Sequence, residues 1–281
     1  MSNLGYLLPR LFICLIFTGS ALAAEQKYPP TPPNVKYGDV LALPFRPADA
    51  LYQYGEDVHQ FAKLWLPANA DEVSKLVVFI HGGCWLNQFE MAHTYPLATA
   101  LSQSGYGVWS LEYRRTGDEG GGWPGSFEDI KDGIAYVSSL SGNSLSSAQL
   151  VIVGHSAGGH LALLAGNEFP NVRSVIGLAA ISDIQTYSMG NNDCETATPL
   201  FMGGTFSELP SLYRSANPVD VGVHGETTLL HGTADSIVNI SQSNLTGAKA
   251  LVEEGAGHFD WVHPGTSATT LLLKTLEEAF D

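Results

Sequence analysis

Short, unbroken apolar runs set the strongest limit on what this chain can fold into. Leu76-Val77-Val78-Phe79-Ile80 has no polar residue at alternate positions, so a strand made from it must be buried on both faces, as in a parallel sheet. Val108 to Tyr113, Leu150 to Val153, Ser174 to Ile181, Thr227 to Leu230 and Ala250 to Glu253 read as further strands. Helix-like segments separate them: Tyr95 to Ser104, a segment opened by Ser126-Phe127-Glu128-Asp129 as a capping box and reaching Leu140, Ala157 to Asn167, and a closing Thr266 to Phe280. This alternation predicts an α/β fold, a mostly parallel sheet with helices on both faces. Sites in such folds lie beyond the C-terminal ends of the strands.

The chain is long and apolar enough for one large core, with 281 residues of which 44% are hydrophobic and 15% charged. Without an internal repeat or a second linker, residues 35–281 read as a single domain. Residues 184–226, rich in Gly, Asn, Thr and Pro, look too irregular for the core and predict a modest cap. A balance of 13 Lys+Arg against 28 Asp+Glu, net −15, argues against nucleic acid, whose phosphates need clustered positive charge. No H-E-x-x-H and no Cys/His cluster of ligand spacing occurs, so no metal and no cofactor are expected.

The first 23 residues read as a signal peptide. Arg10 precedes the apolar run Leu11 to Phe17, and Ala21-Leu22-Ala23 is an A-x-A cleavage pattern. That run is well short of the roughly 20 apolar residues that span a bilayer, so no stable membrane anchor is expected. Export to the periplasm or the exterior follows. Residues 24–34, with Tyr28-Pro29-Pro30-Thr31-Pro32-Pro33, form an extended lead-in. Two sequons, at Asn239 and Asn244, carry meaning only in a eukaryotic secretory route. Oligomeric state leaves no signal in the sequence.

Chemistry concentrates in Gly154-His155-Ser156-Ala157-Gly158, a G-x-S-x-G pattern set between a strand and a helix. Glycines flank a nucleophile on a sharp turn because chain and helix must pass closely there. A serine is a weak nucleophile and needs a base, itself oriented by a carboxylate. In the order Ser, acid, His, each after a later strand, Asp235 and His258 fit. Asp183 and Asp260 are rival acids, with turn formation or solvation as their plainer role. His155 and His160 read as packing or hydrogen-bonding groups, and His81 and His231 as loop braces. After the buried strand, His81-Gly82-Gly83-Cys84-Trp85 offers backbone donors for an oxyanion at Gly83 and Cys84, with Ala157 as another. Trp85 and Trp123 are candidate substrate contacts.

These motifs resemble the α/β-hydrolase superfamily, in particular the bacterial esterase/lipase branch that includes hormone-sensitive-lipase-like esterases and kynurenine formamidases. The resemblance runs from about Tyr54 to the C-terminus. It implies an eight-stranded, mostly parallel sheet and a Ser-Asp-His triad. His81-Gly82-Gly83-Cys84-Trp85 is similar to the H-G-G-x-W form of the oxyanion loop, and Glu112-Tyr113-Arg114-Arg115 to a Y-R pair of mainly structural role. The activity implied is hydrolysis of a small carboxylic ester through an acyl-enzyme. An arylformamidase would use the same groups on an N-formyl amide, although export argues against it. A prolyl-oligopeptidase-like peptidase would need a large extra domain. A non-catalytic binding protein on this fold has no need of nucleophile, base, acid and donors together.

Cleavage after Ala23 would remove Cys14 and leave Cys84 in the oxyanion loop and Cys194 in the cap. In an oxidising compartment they can bond if their Cα atoms approach within about 7 Å. A tight turn gives Cys84 few directions in which to reach, and the sequence leaves the pairing open.

Overall fold

The computed structural model describes residues 25–68, 72–140, 145 and 147–281; the signal peptide and Cys14 lie outside them. Eight strands form one sheet: β1 (Ala50–Gln53), β2 (Phe61–Trp65), β3 (Lys75–Ile80), β4 (Gly107–Leu111), β5 (Gln149–His155), β6 (Ser174–Leu178), β7 (Thr227–Gly232) and β8 (Ala248–Glu253). Their order across the sheet is β1-β2-β4-β3-β5-β6-β7-β8. β2 runs antiparallel to β1 and β4, and every other pairing is parallel. The helices are α1 (Tyr37–Leu41), α2 (Tyr95–Gln103), α3 (Gly125–Ser139), α4 (Ala157–Glu168), α5 (Ile184–Tyr187), α6 (Asp193–Met202), α7 (Pro210–Ser215), α8 (Pro218–Val221) and α9 (Ser267–Phe280). No helix among the described residues is long and apolar enough to cross a membrane.

The unbroken apolar strands have the expected cause. Val78, Ile80 and Ile152 face one layer with α3 and α4, while Val77, Phe79, Val151 and Val153 face the other with α2 and α9. Side chains alternate across a strand, so a strand covered on both sides must be apolar throughout.

Several expectations are corrected. The capping box at Ser126 does not form: α3 begins at Gly125, two residues before the start such a box would set, with Pro124 as N-cap and no side-chain cap. The Ser126 hydroxyl instead donates to the Arg114 carbonyl at 2.6 Å. The strand expected over 174–181 ends at Leu178, because Ala179 turns the chain with φ +45°. The cap interval is more regular than its composition suggests, since it contains α5 to α8. Its start signals were present: Asn192 and Glu195 make a reciprocal capping box, and Pro210 and Pro218 open α7 and α8.

The lead-in packs along the domain. The Thr31 amide donates to the Gly265 carbonyl at 2.8 Å, and the amides of Asn34 and Val35 to the Asp260 carboxylate at 2.6 and 2.8 Å. Cys84 and Cys194 form a disulfide, with Cα atoms 4.9 Å apart and 110 residues of separation. In the chain-entropy view, closing a loop this long stabilises the fold by about 4–5 kcal/mol.

Candidate active site

Ser156 ends β5 and starts α4 with φ +58° and ψ −121°, a conformation that non-glycine residues rarely hold. Two glycines allow it. A Cβ on Gly158 would strike the carbonyls of Ile80 and His81, and one on Gly154 the carbonyl of Gly158. The turn is fixed by the Ser156 amide donating to the Leu178 carbonyl at 2.8 Å and by the His160 amide donating to the Ser156 carbonyl at 3.1 Å. Its position puts the serine at the positive end of the α4 dipole.

Beyond β7, the Asp235 carboxylate accepts from the amides of Ile237 and Val238 at 2.8 and 2.9 Å, and from His258 Nδ1 at 2.8 Å. A carboxylate can only accept, so that contact places the proton on Nδ1 and leaves the Nε2 lone pair for a substrate or nucleophile. Burial favours the neutral acid of Asp235. Attraction to His258 and the three hydrogen bonds outweigh it, holding the carboxyl below its ordinary 3.8. His258 is itself held from below: its carbonyl accepts from His155 Nε2 at 2.9 Å, and the two rings lie 4.7 Å apart. Burial, then the neighbouring His258 and His93 rings, push His155 well below the ordinary 6.5, so it remains neutral. Ser156 thus adjoins the residue that carries His258. The serine hydroxyl makes no hydrogen bond to His258 in this conformation, a contact that commonly tightens only when substrate binds.

The rival acids stand elsewhere. Asp183 caps α5, accepting from the Thr186 amide at 3.1 Å. Asp260 is fully buried and accepts from the amides of Asn34, Val35 and Gly257, which makes it the anchor of the lead-in beneath the histidine loop.

Gly82 backs directly onto Ser156, because a Cβ there would come within 2.9 Å of Ser156 Cβ. The amides of Gly83, Cys84 and Ala157 donate to no acceptor among the described residues, and so remain available to a ligand. His81 braces the loop from behind, through Nδ1 to the Gly82 carbonyl at 2.7 Å and Nε2 to Glu112 at 2.9 Å. Burial raises the Glu112 carboxyl, but His81, Arg115 and the Met91 amide overcome it and hold it at about 2. Glu112 is thus a hub of the site's support, a role that nothing local in Glu112-Tyr113-Arg114-Arg115 signals because its partners His81 and Met91 come from other segments. His231 Nε2 donates to the Val238 carbonyl at 2.8 Å and braces the acid loop. His160, kept neutral by burial at about 4, ties α4 to the cap through the Ala216 carbonyl at 2.6 Å.

Of the two aromatic residues read as substrate contacts, Trp123 is half-buried. Trp85 is 0% exposed and stacked on Phe201, with centroids 4.7 Å apart. That reading of Trp85 is corrected: it packs the loop against the cap and offers a substrate no surface here. An open cavity of about 800 Å³ lies at the opposite pole, beside Arg173, Glu226, Lys249 and Glu278 at the strands' N-terminal ends. It is remote from Ser156.

The sheet order, the strained serine after β5 and the acid and histidine loops after β7 and β8 define an α/β-hydrolase fold. The chain belongs to the BD-FAE family, whose family model matches residues 63–249. It is 24% identical over 213 residues to esterase LipC of Mycobacterium tuberculosis, covering 68% of this chain and 52% of that one. To esterase LipQ of the same organism it is 27% identical over 199 residues, covering 64% and 46%. The chain therefore spans about half the length of these curated relatives. Esterase B from Lactobacillus rhamnosis superposes with a TM-score of 0.69 at 19% identity, over 87% of this chain and 90% of that one, a likeness of fold.

Proposed function

We propose that this protein is a serine hydrolase that cleaves carboxylic esters through an acyl-enzyme. The observation that carries the reading is the Asp235–His258 hydrogen bond, 2.8 Å long, which leaves His258 Nε2 free, on a residue whose carbonyl is bonded to His155, the neighbour of the serine on the strained elbow. In the reaction, Nε2 takes the Ser156 proton as Oγ attacks the ester carbonyl. Asp235 keeps the ring in the required tautomer and stabilises the imidazolium. The amides of Gly83, Cys84 and Ala157 receive the oxyanion, each such donor commonly contributing about 10²–10³ in rate. His258 then protonates the leaving alcohol, and water, deprotonated by the same nitrogen, releases the acid. Two relatives are named esterases, which supports esters over N-formyl amides.

A panel of p-nitrophenyl esters of rising chain length, acetylated and feruloylated sugars and N-formylkynurenine tests this. Turnover of at least one ester class well above that of N-formylkynurenine is expected. Turnover of the formyl amide alone would move the protein to the arylformamidases, and none of any substrate would sink the enzymatic reading.

The protein is also proposed to be exported and cleaved near Ala23, to act outside the cytoplasm. A disulfide between Cys84 and Cys194 supports this, because such bonds persist in oxidising compartments. Mass spectrometry of fractionated cells should find a mature chain beginning near Ala24; soluble cytoplasmic chains retaining Met1 would refute export.

A further inference from the structure

Gly83 and Cys84, the proposed oxyanion donors, lead into a turn that their own sequence disfavours. The Leu86 amide donates to the Gly83 carbonyl at 2.9 Å, closing a four-residue turn whose central residues are Cys84 and Trp85. Both have positive φ, +54° and +58°. Turns with positive φ at both central positions favour asparagine and glycine, since a larger side chain is crowded there. A Cys-Trp pair holds this shape only where its surroundings over-determine it.

The Thr116 amide donates to the Trp85 carbonyl at 2.8 Å, and His160 and Tyr187 stand edge-on to the Trp85 ring, but one helix grips both central side chains. The Cys84 side chain is bonded to Cys194, the second residue of α6. Trp85 stacks on Phe201 of the same helix, with planes only 11° apart. The start of α6 is in turn fixed by Asn192, which accepts from the Cys194 amide at 3.0 Å and donates through Nδ2 to the Ile237 carbonyl at 2.9 Å. Ile237 belongs to the loop that holds Asp235. The same helix end is therefore tied to the oxyanion loop and to the acid loop.

We propose that Cys194 and Phe201 are positioning residues for catalysis: the grip of α6 on Cys84 and Trp85 holds the oxyanion amides in register with Ser156. This rests on the serine-hydrolase reading. With the grip released, the crowded turn relaxes and swings the amides of Gly83 and Cys84 away from the developing oxyanion. Ground-state binding, which needs the carbonyl oxygen less, is affected little. The loss accordingly falls on kcat.

The test uses the full mature chain, with Cys194→Ser and Cys194→Ser/Phe201→Ala assayed on a short p-nitrophenyl ester well below their melting temperatures. Expected is a drop in kcat of about 10-fold for the single variant and about 100-fold for the double, approaching the loss of one donor. KM should stay within roughly threefold. A second arm treats the folded wild type with dithiothreitol, which gives two electrons and two protons to the bridge, leaving two thiols and becoming a cyclic disulfide. With far-UV circular dichroism unchanged, kcat should fall as in Cys194→Ser and recover on reoxidation. This arm decides the matter if the variants do not fold. Unchanged kcat in the folded variants or the reduced wild type, or a loss confined to KM, overturns the proposal. Ser156→Ala run alongside separates the two claims: a dead Ser156→Ala with an unaffected Cys194→Ser removes only the grip, whereas an active Ser156→Ala removes the hydrolase reading.

Discussion

Replacing Ser156 by alanine should lower ester turnover by up to about 10⁶ if serine, histidine and aspartate act as one unit. The fold should scarcely notice. Ser156 is 2% exposed, yet its hydroxyl bonds to no described residue, and the elbow is held by the serine's backbone and by Gly154 and Gly158. Alanine keeps the Cβ, and the positive φ of +58° costs it about what it costs serine. Thermal unfolding should therefore stay near wild type while activity disappears. His258→Ala should lose activity to a similar degree, since without the Nε2 lone pair the hydroxyl keeps its proton. A Ser156→Ala protein with normal melting and near wild-type turnover would remove the nucleophile assignment, and with it the proposed mechanism.

Where local chemistry decides the outcome, the sequence was legible. The apolar runs of β3 and β5 and the glycines around Ser156 each have one workable arrangement, and both lie where the pattern puts them. What could not be read depends on contacts distant in the chain. β1 and β2 alternate weakly and become strands only through antiparallel pairing to each other and to β4, so neither signalled itself in isolation. Asp260 looked like a rival acid because it stands two residues from His258; only the fold brings Asn34 and Val35 to its carboxylate. Trp85 looked exposed to substrate because it follows the donor glycines, but the burying partner, Phe201, lies on a cap helix 116 residues onward by number. Cys84 and Cys194 were legible as candidates and not as a pair, since their approach depends on where α6 starts, and Asn192 fixes that start.

Three aspartates separate the roles of the carboxylates. Asp235→Asn should reduce turnover by about 10⁴ with little change in melting, because an amide can turn its N–H toward His258 Nδ1 and force the proton onto Nε2. The ring is then in the wrong tautomer to accept from Ser156. The Ile237 and Val238 amides can still donate to the remaining oxygen, so the loop persists. Asp260→Asn should show the reverse pattern. Its carboxylate receives three amides, from Asn34, Val35 and Gly257, and an Asn NH₂ turned toward any of them leaves a buried donor unmatched, at about 1–3 kcal/mol. The expected result is a lower melting temperature, with turnover well below that temperature reduced far less than in Asp235→Asn. Asp183→Asn should be nearly silent in both measurements, since asparagine caps a helix about as well as aspartate. Parallel kinetics and melting curves of the three variants give the answer. If Asp260→Asn or Asp183→Asn loses more turnover than Asp235→Asn while remaining folded at the assay temperature, the acid that orients His258 during the reaction is not Asp235.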